Sequence, residues 1–197
     1  PGHSSAASDV YKRQTENTTG SENMGVGYNA LKVNVGGSGN AAMGSGSLAS
    51  NIGGDFNTAV GTQALGALGS NSGSSYTGNT AIGHIAGYTM TTGSGNTLLG
   101  RMAGSLINSS NNTILGIFDG NSGGLDIRSS SGNIVLADGN GNPRLYINSS
   151  GNVGINQVSP ASKLDVVGDI KATTFTGSGA SLTNLPVADS DIQVAYT

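Results

Sequence analysis

Few residues of this chain are equipped for acid–base, nucleophilic or metal chemistry. Asp138, Asn140 and Asn142 match the first three ligand positions of a calcium loop, where alternate oxygen-bearing side chains converge on the ion. Pro143 then stands where such a loop needs Gly, and Ser149 where it needs Glu, so the expected role is a hairpin turn. Gly36-Gly37-Ser38-Gly39-Asn40-Ala41 approaches a calcium-binding nonapeptide, but Ala41 replaces its Asp. His84 follows Gly83 at a turn; a Ser–His–Asp relay would need it, but Ser is everywhere, and a solvated histidine is expected. Glycan hydrolysis needs a close pair of carboxylates, and from Glu22 to Gly116 the only acids are Glu22 and Asp55. The chain has no Cys, hence no disulfide, thiolate zinc site or Cys nucleophile. No Gly-rich phosphate loop opens a helix. No catalytic residue, cofactor or metal ligand is therefore assigned, and the expectation is a non-enzymatic chain.

The composition agrees. Gly, Ser, Asn and Thr supply 99 of 197 residues, while Leu, Ile, Val and Phe supply 41. With 10 % charged residues and no Trp, the chain lacks the large core and charged shell of a conventional catalytic domain. Net charge is −3, so repulsion does not hold the chain open. Lys plus Arg total 8, thinly spread, which gives nucleic acid little to bind. No apolar run of about 18 residues exists, so no membrane-spanning helix is expected. Between Val33 and Gly100 the single formal charge is Asp55. The sequons at Asn17, Asn108, Asn111 and Asn148 are those expected by chance in such a composition.

The elements that must carry any function are repeats. Asn is followed four residues later by Gly, at Asn23 and Gly27, Asn40 and Gly44, Asn57 and Gly61, Asn79 and Gly83, Asn96 and Gly100, and Asn112 and Gly116. The Asn spacings are 17, 17, 22, 17 and 16. A second element follows seven and eight residues after each Asn: Ala30-Leu31, Ser47-Leu48, Ala64-Leu65, Ala86-Gly87 and Ala103-Gly104. A fixed period means stacked supersecondary units, and 17 residues are too few for a helix pair. Two short strands and two tight turns fit, with Gly and Asn at the corners. The expected fold is all-β: a parallel β-roll or β-solenoid over residues 15–120, with rungs about 4.8 Å apart.

Alternation assigns the strand faces. The third residue after each Asn is always large: Val26, Met43, Val60, Ile82, Leu99 and Leu115. That face is expected to point into the rung. The second residue is Gly25, Ala42, Ala59, Ala81, Leu98 and Ile114, mostly small, and a strand apolar on both faces must be covered on both. Another chain is therefore expected on the Ala side, which a single chain would leave open. The 22-residue spacing after Asn57 expands the loop from Gly66 to Thr77, and Tyr76, its one aromatic, is the receptor-contact candidate.

Beyond residue 120 the period changes. Residues 121–157 read as a β-hairpin connector: Gly132–Ala137 and Arg144–Asn148 are strands, Asp138–Pro143 is their turn, and Gly151–Ile155 is a further strand. Residues 158–186 read as a shaft. Lys163–Ala172 alternates with a bend or bulge at Gly168, and Ser178–Pro186 is a turn-rich closure. Residues 187–197 end on a strand-like pattern, and Pro1 is not Met, so both ends are expected to be open ends of a longer frame. Ser4–Gln14 resembles a translated transposase-library adaptor, and residues 1–14 are excluded from the fold as such a scar.

The Asn-Thr-Ala-Ile-Gly repeats over residues 22–120 resemble the head repeats of trimeric autotransporter adhesins. That resemblance implies a left-handed parallel β-roll with three chains packed side by side. Residues 132–186, with Gly-Asn-Val-Gly-Ile, Ser-Pro, Lys-Leu-Asp-Val, Gly-Asp-Ile-Lys-Ala and Leu-Thr-Asn-Leu-Pro, resemble the distal shaft of phage tail-fibre proteins. In relatives of that kind the shaft often precedes a self-cleaving chaperone of the S74 peptidase type. Together the resemblances imply a homotrimeric structural segment of a phage tail fibre, located in the virion. Its expected partner is a host-surface glycan or outer-membrane protein. The alternatives are the head of a bacterial cell-surface adhesin and a fibre-borne glycan depolymerase.

Overall fold

The computed structural model describes residues 18–69, 76–174 and 176, and among these it is all-β without a helix. Six three-residue strands recur once per repeat: β1 (Met24–Val26), β2 (Ala41–Met43), β3 (Thr58–Val60), β4 (Thr80–Ile82), β5 (Thr97–Leu99) and β6 (Thr113–Leu115). Each pairs in parallel with the next, and the register advances by one whole repeat, as with Ala59 opposite Ala81 and Ala81 opposite Leu98. The expected parallel β-solenoid is the observed fold.

Each rung holds one short strand, not the expected two. The second half of the rung is a run of turns, because left-handed conformations recur there every second residue. Gln63 and Leu65, for example, have φ of 58° and 51°, which ends any extended run. These turns are still bonded between rungs: Leu48 N donates to Ala64 O at 3.1 Å, and Leu65 N to Ala86 O at 2.9 Å.

The corner glycines are where the sequence placed them, and they stack in one column that begins at Gly27 and Gly44. Gly27 has φ of 128° and Gly44 φ of 136°. An added Cβ on Gly27 would lie 2.7 Å from the Gly44 carbonyl oxygen, and one on Gly44 would lie 2.5 Å from that of Gly61. Gly61 repeats the arrangement against Gly83. Backbone stacks on backbone along this column, so only Gly fits.

The strand faces are the reverse of expectation. Ala42, Ala59, Ala81, Leu98 and Ile114 are fully buried within the single chain. The large residues point outward: Met43 is 47 % exposed, Ile82 40 % and Leu99 44 %. The reason is the narrow rung. The turn half folds straight back over the strand, and Leu31, Leu48 and Leu65 already fill the interior, leaving room opposite them for little more than a methyl group. Where Leu gives way to Gly87 and Gly104, the Leu98 side chain of β5 takes up the space beside both. A Cβ on Gly87 would strike Leu65 and Leu98, and one on Gly104 would strike Leu98 and Ile107. Volume is thus conserved by exchange between the two walls.

The roll does not stop at β6. A small hairpin, β7 (Asn121–Ser122) with β8 (Leu125–Asp126), turns through Gly123 and Gly124, both at positive φ. Leu125 of β8 joins Phe118 and Ile127 in the core. The chain then re-enters the roll as β9 (Ile134–Ala137), parallel to β6. β9 is also the first strand of the expected hairpin with β10 (Pro143–Ile147), followed by antiparallel β11 (Val153–Ile155). β12 (Leu164–Val166) lies parallel to β11. Gly168, with φ of 138°, turns the chain just after it. Residues 1–14, Ser178–Pro186 and 187–197, which carried further expectations, lie outside the described residues.

Candidate functional site

The repeat asparagines build a ladder through the roll. Asn40, Asn57, Asn79, Asn96 and Asn112 are buried, and Asn23 at the first rung is half-buried. Each side-chain oxygen accepts from the backbone N–H of the next Asn: 2.9 Å from Asn40 N to Asn23, 2.9 Å from Asn57 N to Asn40, and 3.0 Å from Asn79 N to Asn57. The pattern continues through Asn96 and Asn112. The side-chain nitrogen points across the rung: Asn79 Nδ2 donates to Gly93 O at 3.0 Å and Asn57 Nδ2 to Tyr76 O at 2.9 Å. Asn suits this position because its amide offers acceptor and donor at once, and every buried polar atom needs a partner. The ladder is structural, holding the corners in register.

The glycines of the same signature are structural too. The Gly44 N–H donates to Val26 O at 2.8 Å and the Gly61 N–H to Met43 O at 2.7 Å, so their backbone groups serve the stacking of rungs. Gly27 and Gly44 are half-buried, and with no side chain they bring no functional group to a site. The whole repeat signature, Asn and Gly alike, therefore serves the stacking of the rungs.

A seventh member of the ladder, Asn133, lies outside the Asn-to-Gly pattern because Ala137 replaces the corner Gly. Asn133 N donates to Asn112 Oδ1 at 3.0 Å, and Tyr146 Oη ends the ladder by donating to Asn133 Oδ1 at 2.9 Å. Burial of Tyr146 raises its phenol pKa. The one signal for this rung was the Asn-Ile-Val-Leu string itself.

Asp138 is the keystone of a turn. Its Oδ1 accepts from Asn140 N at 2.9 Å and Asn142 N at 3.0 Å, and Arg144 pairs with Oδ2. These bonds, the Asn142 amide first and then Arg144, hold its carboxyl well below the usual range. The carboxylate is committed to backbone amides, as the hairpin reading requires. In the neighbouring hairpin Arg128 lowers the Asp126 pKa to about 2.

His84 is exposed on its turn. Tyr76 is half-buried and packs against the core cluster, with its carbonyl committed to Asn57. Gly66–Gly69 and Tyr76–Thr77 of the expanded loop are described, while residues 70–75 lie outside the described residues.

The outer face of the sheet is a continuous exposed feature. One residue per strand lines up in register: Val26, Met43, Val60, Ile82, Leu99, Leu115, Leu136, Leu145, Ile155 and Val166. All ten are apolar and exposed or half-buried. At about 4.8 Å per strand this line runs roughly 43 Å. The parallel column beside it is Met24, Ala41, Thr58, Thr80, Thr97 and Thr113 in the roll, then Ile134, Ile147, Val153 and Leu164. These two columns are thus uncharged, with both apolar at each end and threonines beside the apolar line from β3 to β6. The repeat pattern marks only the first six of these residues, Val26 to Leu115, as one face, expected to point inward with the uncovered side at the alanines, which the chain buries by itself.

Compared with protein-family models, curated proteins and solved structures, the chain matches none.

Proposed function

We propose that this chain is a non-enzymatic structural segment of a fibre that contributes to host-surface attachment as a side-by-side homotrimer. The observation that carries the reading is the outer apolar line. Contiguous exposed apolar surface of this extent marks an interaction face. The partner best suited to one large residue every 4.8 Å is a copy with the same period, and closed symmetry is the usual arrangement of identical chains. Three copies, rather than two, follow from the adhesin-like repeats. The tail-fibre-like shaft beyond residue 132 favours a phage virion over the head of a bacterial surface adhesin. The wider apolar face of β9–β12 suits a shaft in which single chains have little core of their own.

The depolymerase reading has weaker support. Between Glu22 and Gly116 the only acids are Glu22 and Asp55, and they stand two rungs apart rather than side by side on one rung. Light scattering of the full chain tests the proposal. A trimer is expected, and Ile82→Asp with Leu99→Asp should give smaller species, since both side chains lie outside the rung core. A stable folded wild-type monomer at micromolar concentration would sink the reading.

A further inference from the structure

Phe56 departs from the rod around it. Its position, just before the ladder Asn, has positive φ on every rung: Glu22, Gly39, Gly78, Gly95, Asn111 and Gly132 stand there elsewhere. Phe56 has φ of 56°, a conformation that bulky side chains avoid. It is also 69 % exposed, the highest value among the large apolar side chains described. The fold imposes this backbone at the corner but does not call for an aromatic there, and most of the ring faces solvent.

Its neighbour is Asp55, the single formal charge between Val33 and Gly100. Their side chains reach neighbouring residues of the rung below. Asp55 Oδ1 accepts from Ser38 N at 2.8 Å. The Phe56 ring covers Gly39, where an added Cβ would lie 2.7 Å from Cδ1. Ring and carboxylate thus rest on adjacent residues, Gly39 and Ser38, of the rung below. On the rung above, a Cβ on Gly78 would meet nothing within 4 Å. Phe56 also precedes β3 and lies off the outer apolar line.

We propose that Phe56 and Asp55 form a contact site for a neutral or amino sugar. The face of an aromatic ring is electron-rich and attracts the polarised C–H bonds on one face of a pyranose. Asp55 accepts hydrogen bonds from the sugar's hydroxyl or ammonium groups and repels carboxylated or phosphorylated sugars. Gly neighbours leave room for a flat ligand to approach. A lone ring on an open floor suits a sugar face better than a protein hot spot, which sits in a desolvated pocket. This inference rests on the attachment reading above and assigns its ligand class.

The test applies full-length wild type, Phe56→Asn, Phe56→Trp and Asp55→Asn to an array of bacterial surface oligosaccharides and to a panel of bacterial strains. Melting and light scattering are followed in parallel. Wild type is expected to retain at least one neutral or amino-sugar oligosaccharide, Phe56→Asn to weaken it about tenfold or more, and Phe56→Trp to keep it. Asp55→Asn should weaken it less while preserving the Ser38 hydrogen bond. Phe56→Asn should melt no lower than wild type, since Asn111 already occupies the equivalent position. Lower melting or lost assembly in Phe56→Asn would make the ring structural and overturn the site, as would unchanged retention. Adhesion abolished by protease treatment of the bacteria, with a silent array, overturns the sugar class but leaves attachment standing. Wild type that binds neither array nor bacteria overturns both.

Discussion

Replacing Asn79 with Ala should remove four hydrogen bonds at once. Asn79 Oδ1 accepts from Asn96 N and Asn96 Nδ2, each at 3.0 Å, and Asn79 Nδ2 donates to Asn57 Oδ1 and Gly93 O, each at 3.0 Å. The residue is fully buried, so water cannot substitute without opening the rung. At about 1 kcal/mol net per bond the loss is about 4 kcal/mol, a large share of the roughly 5–15 kcal/mol that holds a domain. For a chain of this size that lowers the melting midpoint by about 8–16 °C. Asn23→Ala is the matched control. Asn23 serves the same role at the half-buried first rung, where solvent can re-satisfy Asn40, so about 1 kcal/mol is expected. Circular dichroism melts of the two variants decide the matter. A loss below about 1 kcal/mol for Asn79→Ala, or equal losses at both sites, would refute the ladder as a stabilising device.

Gly83→Val should destabilise far more than Gly78→Ala, read by denaturant midpoint. Gly83 has φ of 141° and faces the Gly100 carbonyl, whereas Gly78 has φ of 68° with open space around it and should cost about 1 kcal/mol. Tyr146→Phe removes the hydrogen bond that ends the ladder at Asn133 and should cost about 1–2 kcal/mol, with faster amide exchange at the β9–β10 hairpin. Asp138 is bound more tightly as a carboxylate in the fold than in the unfolded chain. Its stabilisation is therefore complete above the unfolded pKa near 3.8 and is lost as pH falls toward the lower folded value. Asp138→Asn should flatten that acid limb in a pH series of melts.

The sequence by itself determined the fold. The Asn-to-Gly spacing fixed the period, the corner glycines from Gly27 and Gly44 onward marked the bends, and the apolar third residue marked a strand in every repeat. The hairpin turn at Asp138 was equally legible, because the failed calcium pattern left only the turn chemistry of Asp and Asn. What the sequence could not decide was direction. Both Ala81 and Ile82 are apolar, and alternation says only that they face opposite ways. Tertiary structure settled it through volume: with Leu65 and Leu98 already inside, only the methyl of Ala81 fits, and Ile82 is turned out. The same holds for Asn133, whose place in the ladder depends on pairing across 21 residues with Asn112 rather than on a local motif. Phe56 was likewise unremarkable in one dimension. Its exposure and left-handed backbone exist only once the rung closes, because the fold imposes the same conformation at that corner on whatever residue stands there.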